Sequence, residues 1–312
     1  MTTLSTSKYF KAHSVQDAIA LAKAHTNFIF LAGGTDAMVN KQQGTLEANT
    51  LIDISDINEL NQITSNDEQL IVGSMNTLHQ IASHHIVATR FPALREAALS
   101  VATPVIRRSA TIGGNLLCEN RCSFYNQSEW WREAVGYCLK CNGDICIATG
   151  GKKNCFSRFV SDTAPVLIAL QASATISDGN TSKQILLENL YSGDGVNPHS
   201  KSNEQLLIDI RIPFQPSHVV FRKLRPRKSL DFTSLSTAVA LYPNQIRVVI
   251  GGVDPQPVLL TFDGTHPHDD VIAQCVKKPR IVDNDFYSRK YRKEMIGHFI
   301  RESLSQLSNM KF

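Results

Sequence analysis

Apolar positions recur along the chain with two spacings. Val15, Ala18, Ile19 and Ala22 share one helical face, and Ser14 followed by Asp17 resembles a capping box, so a helix is predicted over about 14–25. Asn27-Phe28-Ile29-Phe30-Leu31 reads as a short strand running into the glycine turn Ala32-Gly33-Gly34-Thr35-Asp36. Residues 50–54 and 69–73 read as two more strands, separated by the polar loop around Asn66-Asp67, and 92–101 as a helix. Beyond a cysteine-rich segment, 164–170 reads as a helix behind Asp162, with strands at 172–177 and 206–212. Pro213 and Pro216 then break the pattern. Residues 219–224, 236–242 and 245–253 read as strands of a new sheet, followed by helices near 270–275 and 288–307. In the last helix Tyr291, Met295, Phe299, Ile300, Leu304 and Leu307 recur every three to four residues. A boundary is expected near 213–218, and no internal repeat is present.

A chain of 312 residues with 42% hydrophobic and 19% charged residues excludes a disordered or low-complexity protein and suits about two domains. Its net charge of +4 is too small to argue for nucleic acid, and the basic run from Arg222 to Lys228 reads as a solvated loop. No apolar run approaches the ~20 residues of a membrane span. The first residues lack a basic region leading into an apolar stretch, so the expected location is cytoplasmic, with no membrane contact. His84-His85 reads as a surface pair on a helix, and Cys275 as a buried helix residue. Trp130-Trp131 reads as core packing or as a contact at a partner or metal site.

Six of the seven cysteines, Cys118, Cys122, Cys138, Cys141, Cys146 and Cys155, fall between positions 118 and 155. A disulfide framework would need an oxidising compartment. Structural zinc prefers paired C-x2-C knuckles, and Cys138-Leu139-Lys140-Cys141 is the one such spacing. A [4Fe-4S] cluster tolerates longer loops, and the run Cys122, Cys138, Cys146, Cys155 can wrap one, although spacing does not decide which four of the six ligate.

Two glycine pairs sit in polar-rich turns, at Gly33-Gly34 and in Ala110-Thr111-Ile112-Gly113-Gly114-Asn115. Without a Cβ, such residues let backbone N–H groups approach a phosphate, and Thr and Asn side chains add donors. Neither segment has the spacing of the ordinary dinucleotide or P-loop motifs. A tight turn explains either one; both together, with Asp162 available to ribose hydroxyls, fit a pyrophosphate site.

The strings Leu31-Ala32-Gly33-Gly34-Thr35-Asp36, Ala110-Thr111-Ile112-Gly113-Gly114-Asn115 and Ser161-Asp162-Thr163-Ala164-Pro165-Val166-Leu167-Ile168-Ala169-Leu170 resemble the FAD-binding subunit of the molybdenum hydroxylase, or xanthine dehydrogenase, family. Their order and separation match over nearly the whole chain. The resemblance implies an α+β fold: a FAD-binding domain of the vanillyl-alcohol-oxidase (PCMH) type in two lobes over 1–214, then a C-terminal α/β domain over 218–312 like that of the carbon monoxide dehydrogenase flavoprotein. It places Ile29, Phe30, Leu31, Ala32, Gly33, Gly34, Thr35 and Asp36 against the FAD pyrophosphate, with donors from Thr111, Gly114 and Asn115. Asp162 would lie at the adenosine end, Lys223 near the flavin, and Val101 packed on the cofactor.

Xanthine dehydrogenase-like members pass directly from the Gly-Gly-Asn turn to the Ser-Asp segment, whereas here an insertion occupies about 118–158. Arg121-Cys122, Tyr125-Asn126-Gln127, Trp131-Arg132, Tyr137-Cys138-Leu139-Lys140, Gly143-Asp144-Ile145-Cys146 and Cys155 resemble the insertion of 4-hydroxybenzoyl-CoA reductase β subunits, which carries an extra [4Fe-4S] cluster. The insertion of periplasmic aldehyde oxidoreductase flavoproteins that hold such a cluster looks less similar. The match implies Cys122, Cys138, Cys146 and Cys155 as ligands, with Cys118 and Cys141 spare. Cys141 stands where that subunit type more often has a basic residue, which leaves open an exchange with Cys138 or a redox role for the spare thiol.

By the same resemblance the partners are a molybdenum-cofactor large subunit, a [2Fe-2S] small subunit and an external carrier such as ferredoxin. The chain would relay electrons and hold no general acid or base. In a 4-hydroxybenzoyl-CoA reductase they run from ferredoxin through the [4Fe-4S] cluster and FAD toward molybdenum; in a hydroxylase of aldehydes or N-heterocycles they run the other way. Two rival classes are a zinc-stabilised interaction or nucleic-acid module and a self-sufficient flavin oxidase.

Overall fold

The computed structural model describes residues 7–215 and 217–310; Pro216, one of the two prolines that break the sequence pattern, lies outside them. Three short strands, β1 (Lys8–Lys11), β2 (Phe28–Leu31) and β3 (Thr50–Asp53), form a parallel sheet in the order β1-β3-β2. Parallel strands need crossovers, and the helix Val15–Ala24 supplies the first. Ser14 caps it by accepting from the Asp17 N–H at 3.1 Å, while Asp17 accepts from the His13 N–H. Its Val15, Ala18, Ile19 and Ala22 pack with Ile52 and Ile54 to make the core of this first lobe.

The second lobe is an antiparallel sheet of β4 (Ile63–Ser65), β5 (Gln69–Gly73), β6 (Ser173–Ser177), β7 (Ser182–Leu186) and β8 (Leu206–Pro213), ordered β4-β5-β8-β6-β7. Helices Leu78–Ser83, Pro92–Ser100 and Thr163–Ala169 share its core. The four strands that sequence periodicity does not reveal, β1, β4, β7 and the later β12 (Val258–Asp263), lie at sheet edges. There one face meets water and the apolar signal thins out; β7 is Ser-Lys-Gln-Ile-Leu and mostly exposed.

A third sheet runs β9 (His218–Leu224), β10 (Leu235–Tyr242), β11 (Gln245–Gly251) and β12 (Val258–Asp263) as an antiparallel meander. Strand alternation splits its side chains between two cores. Ala238, Ala240, Tyr242 and Val249 join the second-lobe core beside Leu167. Leu235, Val239, Val248 and Ile250 pack instead with Ile296, Ile300, Leu304 and Leu307 of the helix Arg289–Ser308. The helix Thr163–Ala169, wedged against β10 and β11, is therefore buried at every residue and shows no polar face.

The cysteine-rich segment leaves the second lobe through a stem closed by one isolated antiparallel bridge, in which Arg121 and Arg158 exchange backbone hydrogen bonds of 2.8 and 2.7 Å. The buried Arg158 guanidinium pairs with Asp285 at 2.7 Å and donates to the Thr233 and Gly252 carbonyls, so the stem is anchored on the C-terminal elements. Beyond the stem lie the helix Glu129–Val135 and the 3-10 turn Leu139–Cys141. Trp130 is 75% exposed, which removes it from any core. His84 sits between two short helices, Leu78–Ser83 and His85–Arg90, rather than within one. No described helix is long and apolar enough to cross a membrane.

The wedge carries a stability prediction. Leu167→Ala, at a position 1% exposed, is expected to lower unfolding free energy by about 2–5 kcal/mol. Equilibrium urea denaturation measures this, and a loss below about 1 kcal/mol would mean that the helix does not join the two sheets.

Candidate functional site

A cleft of about 740 Å³, within the range of small-molecule and cofactor sites, opens between the first lobe, the second lobe, the cysteine segment and β9. Ile29, Phe30, Ala32, Gly33, Gly34, Thr35, Asp36, Val101, Thr111, Gly114, Asn115, Asp162 and Lys223 all line it. Leu31 does not; its side chain turns beneath Gly34.

Close backbone contacts build the cleft. A Cβ on Gly33 would fall 1.7 Å from the Ser109 carbonyl oxygen, so the first glycine loop lies directly on the chain that enters the second. Gly113 likewise lies on Ser74, less tightly, with the Ser74 carbonyl oxygen 2.8 Å from an added Cβ. Among the described residues, the N–H groups of Gly33, Gly34 and Thr35 donate to no protein atom, and all three residues line the cleft.

The second glycine segment, read as a turn, is the short helix Ile112–Leu116 with Thr111 as its cap. The Gly114 N–H is already used there, donating to Thr111 Oγ1 at 3.0 Å. Asn115, which lines the cleft, accepts at Oδ1 from Ser161 Oγ at 2.8 Å and Thr163 Oγ1 at 2.6 Å.

Asp162 and Lys223 form an ion pair of 2.5 Å with side chains 5% and 6% exposed. Burial pushes the Asp162 carboxyl up and the Lys223 ammonium down, and in each case the partner's charge opposes the shift. At this distance and with both ions screened from water, the charged pair is the state we assign. Asp162 Oδ1 has no hydrogen-bond partner among the described residues. Lys223 belongs to β9, so the basic run is not one solvated loop: Arg225 donates to the Ser100 carbonyl at 2.6 Å, and the exposed Arg227 pairs with Asp231.

Sequence reasoning passed over His199 and Lys201, which also line the cleft. Burial lowers His199 to about 4 and Lys201 to about 8. Both lie in an irregular polar loop with no periodicity or motif to mark them, so no sequence signal was available. Arg121, next to the first cysteine of the proposed cluster set, reaches Asp36 of the first glycine loop in an ion pair and stacks over Phe232 at 4.3 Å.

Cys122, Cys138, Cys146 and Cys155 line one second, small cavity, whose wall includes Tyr125 and Lys140. Cys118 faces the large cleft instead, and Cys141 hydrogen-bonds Cys138, drawing the Cys138 thiol down to about 6. Burial pushes the Cys122 and Cys155 thiols up. All seven cysteines are free of disulfides, and Cys275 is an inert buried thiol pushed up to about 12. Among the described residues, no group of three or more His, Cys, Asp or Glu side chains is arranged to hold a metal ion.

Solved structures define the class of fold. Carbon monoxide dehydrogenase from Hydrogenophaga pseudoflava matches with a TM-score of 0.77 at 19% identity over 96% of both chains. Quinoline 2-oxidoreductase from Pseudomonas putida 86 matches with 0.74 at 16% identity and the same coverage. The architecture is the PCMH-type α+β fold of the carbon monoxide dehydrogenase flavoprotein. The chain belongs to the family described as the FAD binding domain in molybdopterin dehydrogenase, which matches residues 4–215. It is similar to the glyceraldehyde dehydrogenase medium chain of Sulfolobus acidocaldarius, 23% identical over 280 residues, covering 86% of this chain and 85% of the relative. It is also similar to the aldehyde oxidoreductase FAD-binding subunit of Escherichia coli, 27% identical over 263 residues, covering 80% and 82%. The protein is thus an oxidoreductase subunit.

The buried pair yields a double-mutant prediction. Lys223→Met removes the ion-pair partner of a buried carboxyl and is expected to cost about 3–5 kcal/mol. Combining it with Asp162→Asn should recover a large part of that loss in a denaturant titration; strictly additive losses would show that the two side chains act independently.

Proposed function

We propose that this chain is the FAD- and [4Fe-4S]-bearing electron-transfer subunit of a molybdenum-dependent complex of the 4-hydroxybenzoyl-CoA reductase kind. It would relay electrons between an external carrier such as ferredoxin and subunits holding [2Fe-2S] clusters and the molybdenum cofactor. The observation that carries the reading is the pair of adjoining cavities, one lined by both glycine segments and the other by four cysteines. FAD exchanges one or two electrons and a [4Fe-4S] cluster one, which makes their combination on one chain a junction between carriers.

The residues lining the two cavities are of the types that both groups take. The unpartnered N–H groups of Gly33, Gly34 and Thr35 would receive a pyrophosphate, with the Asn115 amide as a further donor. Asp162 and Lys223, being one ion pair, would meet the same part of the cofactor, so the resemblance's placement of one at the adenosine end and the other near the flavin does not hold for both; Lys223 would keep the carboxylate ionised, and the free Asp162 oxygen would accept from a hydroxyl of the cofactor. Ile29, Phe30, Leu31, Ala32 and Val101 would supply the apolar wall and its support. Asp36 orients Arg121 and so couples the nucleotide loop to the cysteine segment. Four thiols around one cavity, with no carboxylate or imidazole in its wall, are the soft donor set that an iron-sulfur cluster takes. The position of Cys138 in that wall and of Cys141 outside it favours Cys138 as the ligand.

A second reading, the flavin subunit of an aldehyde hydroxylase with electrons leaving through FAD, is favoured by the names of the glyceraldehyde dehydrogenase and aldehyde oxidoreductase relatives.

Protein purified without oxygen is expected to contain about four irons, four sulfides and one FAD per chain; zinc without flavin would overturn the proposal. Serine at Cys122, Cys138, Cys146 or Cys155 should abolish the cluster signal while leaving much of the FAD, whereas Cys118→Ser and Cys141→Ser should keep both. A full cluster in any of the first four variants removes that residue from the ligand set. Gly33→Ala should lose FAD in the purified protein because the added methyl collides with the Ser109 carbonyl, and retained stoichiometric flavin would move the site elsewhere.

A further inference from the structure

Two side chains, Tyr125 and Lys140, belong to the walls of both cavities. Tyr125 is held from both sides: its backbone N–H donates to the Cys122 carbonyl at 3.0 Å, and its hydroxyl donates at 2.9 Å to the carbonyl of Thr45, a residue of the large cleft. The Lys140 ammonium lies 5.2 Å above the Tyr125 ring. Its side chain is 4% exposed, so its charge is poorly screened by water. It pairs with Glu119, which lines the large cleft, and donates to the Gly195 carbonyl at 2.6 Å. Gly195 in turn lies on Cys155: its N–H donates to the Cys155 carbonyl at 3.0 Å, and a Cβ there would stand 2.8 Å from Cys155 Sγ. Lys140 is therefore a buried cation set on the partition, one residue from Cys141 and two from Cys138, and fixed to the backbone that covers Cys155.

We propose that Lys140 is the positioning residue that raises the reduction potential of the group held by Cys122, Cys138, Cys146 and Cys155, and that Glu119 moderates this from the cleft side. The proposal rests on the cluster reading above. Reduction adds one electron to the cluster, taken from an external one-electron carrier or chemical reductant, and so makes the site more negative by one charge. A nearby buried cation stabilises the reduced form more than the oxidised one, and a nearby anion does the reverse. The partition thus sets how readily an electron resides beside the cleft, through the sum of two opposite charges that can be removed separately.

The test is a redox titration of the anaerobically purified chain with dithionite, read by the EPR signal of the reduced cluster, with iron and FAD content measured in parallel. Lys140→Gln is expected to disfavour reduction at least tenfold, which for a one-electron couple is a midpoint lower by 59 mV or more. Glu119→Gln is expected to shift the midpoint upward, and Lys140→Arg to stay near the parent value. A merely structural role for Lys140 would not produce opposite shifts from the two charge removals. If Lys140→Gln loses its cluster, Glu119→Gln decides: an upward shift supports the proposal, and an unchanged or lowered midpoint overturns it. Intact clusters with unchanged midpoints in both glutamine variants overturn the tuning role and leave the cluster reading standing. Absence of iron from the parent chain overturns the cluster reading itself.

Discussion

The structure turns on a place where backbone lies against backbone. Gly33 rests on the Ser109 carbonyl and Gly113 on Ser74, at separations that no side chain would permit. These contacts bring the end of a parallel sheet in the first lobe onto the antiparallel second lobe. Among the described residues they also leave the N–H groups of Gly33, Gly34 and Thr35 without protein partners. A polar backbone edge of this kind is costly unless water or a ligand satisfies it, so the packing that joins the lobes also creates an anion-seeking wall.

The C-terminal sheet completes the arrangement by having two buried faces. One joins the second-lobe core through the helix Thr163–Ala169, and the other is covered by the helix Arg289–Ser308. Because β9 is locked in place by that double packing, Lys223 is delivered to Asp162 at the N-terminal end of the wedge helix. The same elements hold the stem of the cysteine segment, through Arg158 with Asp285 and Asn120 with the Ser157 and Pro255 carbonyls. The irregular segment is thus supported at its base by rigid structure. Arg121, at that base, ties it to Asp36 in the first glycine loop.

Chemistry on this chain is a matter of placement. The groups it presents are backbone donors, one buried ion pair, a set of thiols and a partition carrying compensated charge. None of them needs to transfer a proton to a substrate. Under the proposed function their effect would be to hold electron carriers in place and to bias the charge state each prefers.

The local elements were legible in the sequence wherever one face of a segment meets a core. The helix Val15–Ala24, the strands β2, β3, β5, β6, β8, β9, β10 and β11, and the helix Arg289–Ser308 each repeat apolar residues with the period of their own geometry. The glycine pairs and the clustered cysteines were equally plain, because residue type and spacing are properties of the chain itself. The edge strands β1, β4, β7 and β12 were not, since water on one side thins the pattern, whereas the edge strands β2 and β9 are apolar enough to keep theirs. Tertiary structure alone decided that Lys223 is buried rather than in a solvated loop, that the Gly114 N–H is used inside its own helix, and that His199 and Lys201 reach the cleft. It also decided that Tyr125 and Lys140 stand between two cavities. These are relations between residues far apart in the chain, fixed by how sheets and loops close on one another, and periodicity along a sequence carries no record of them.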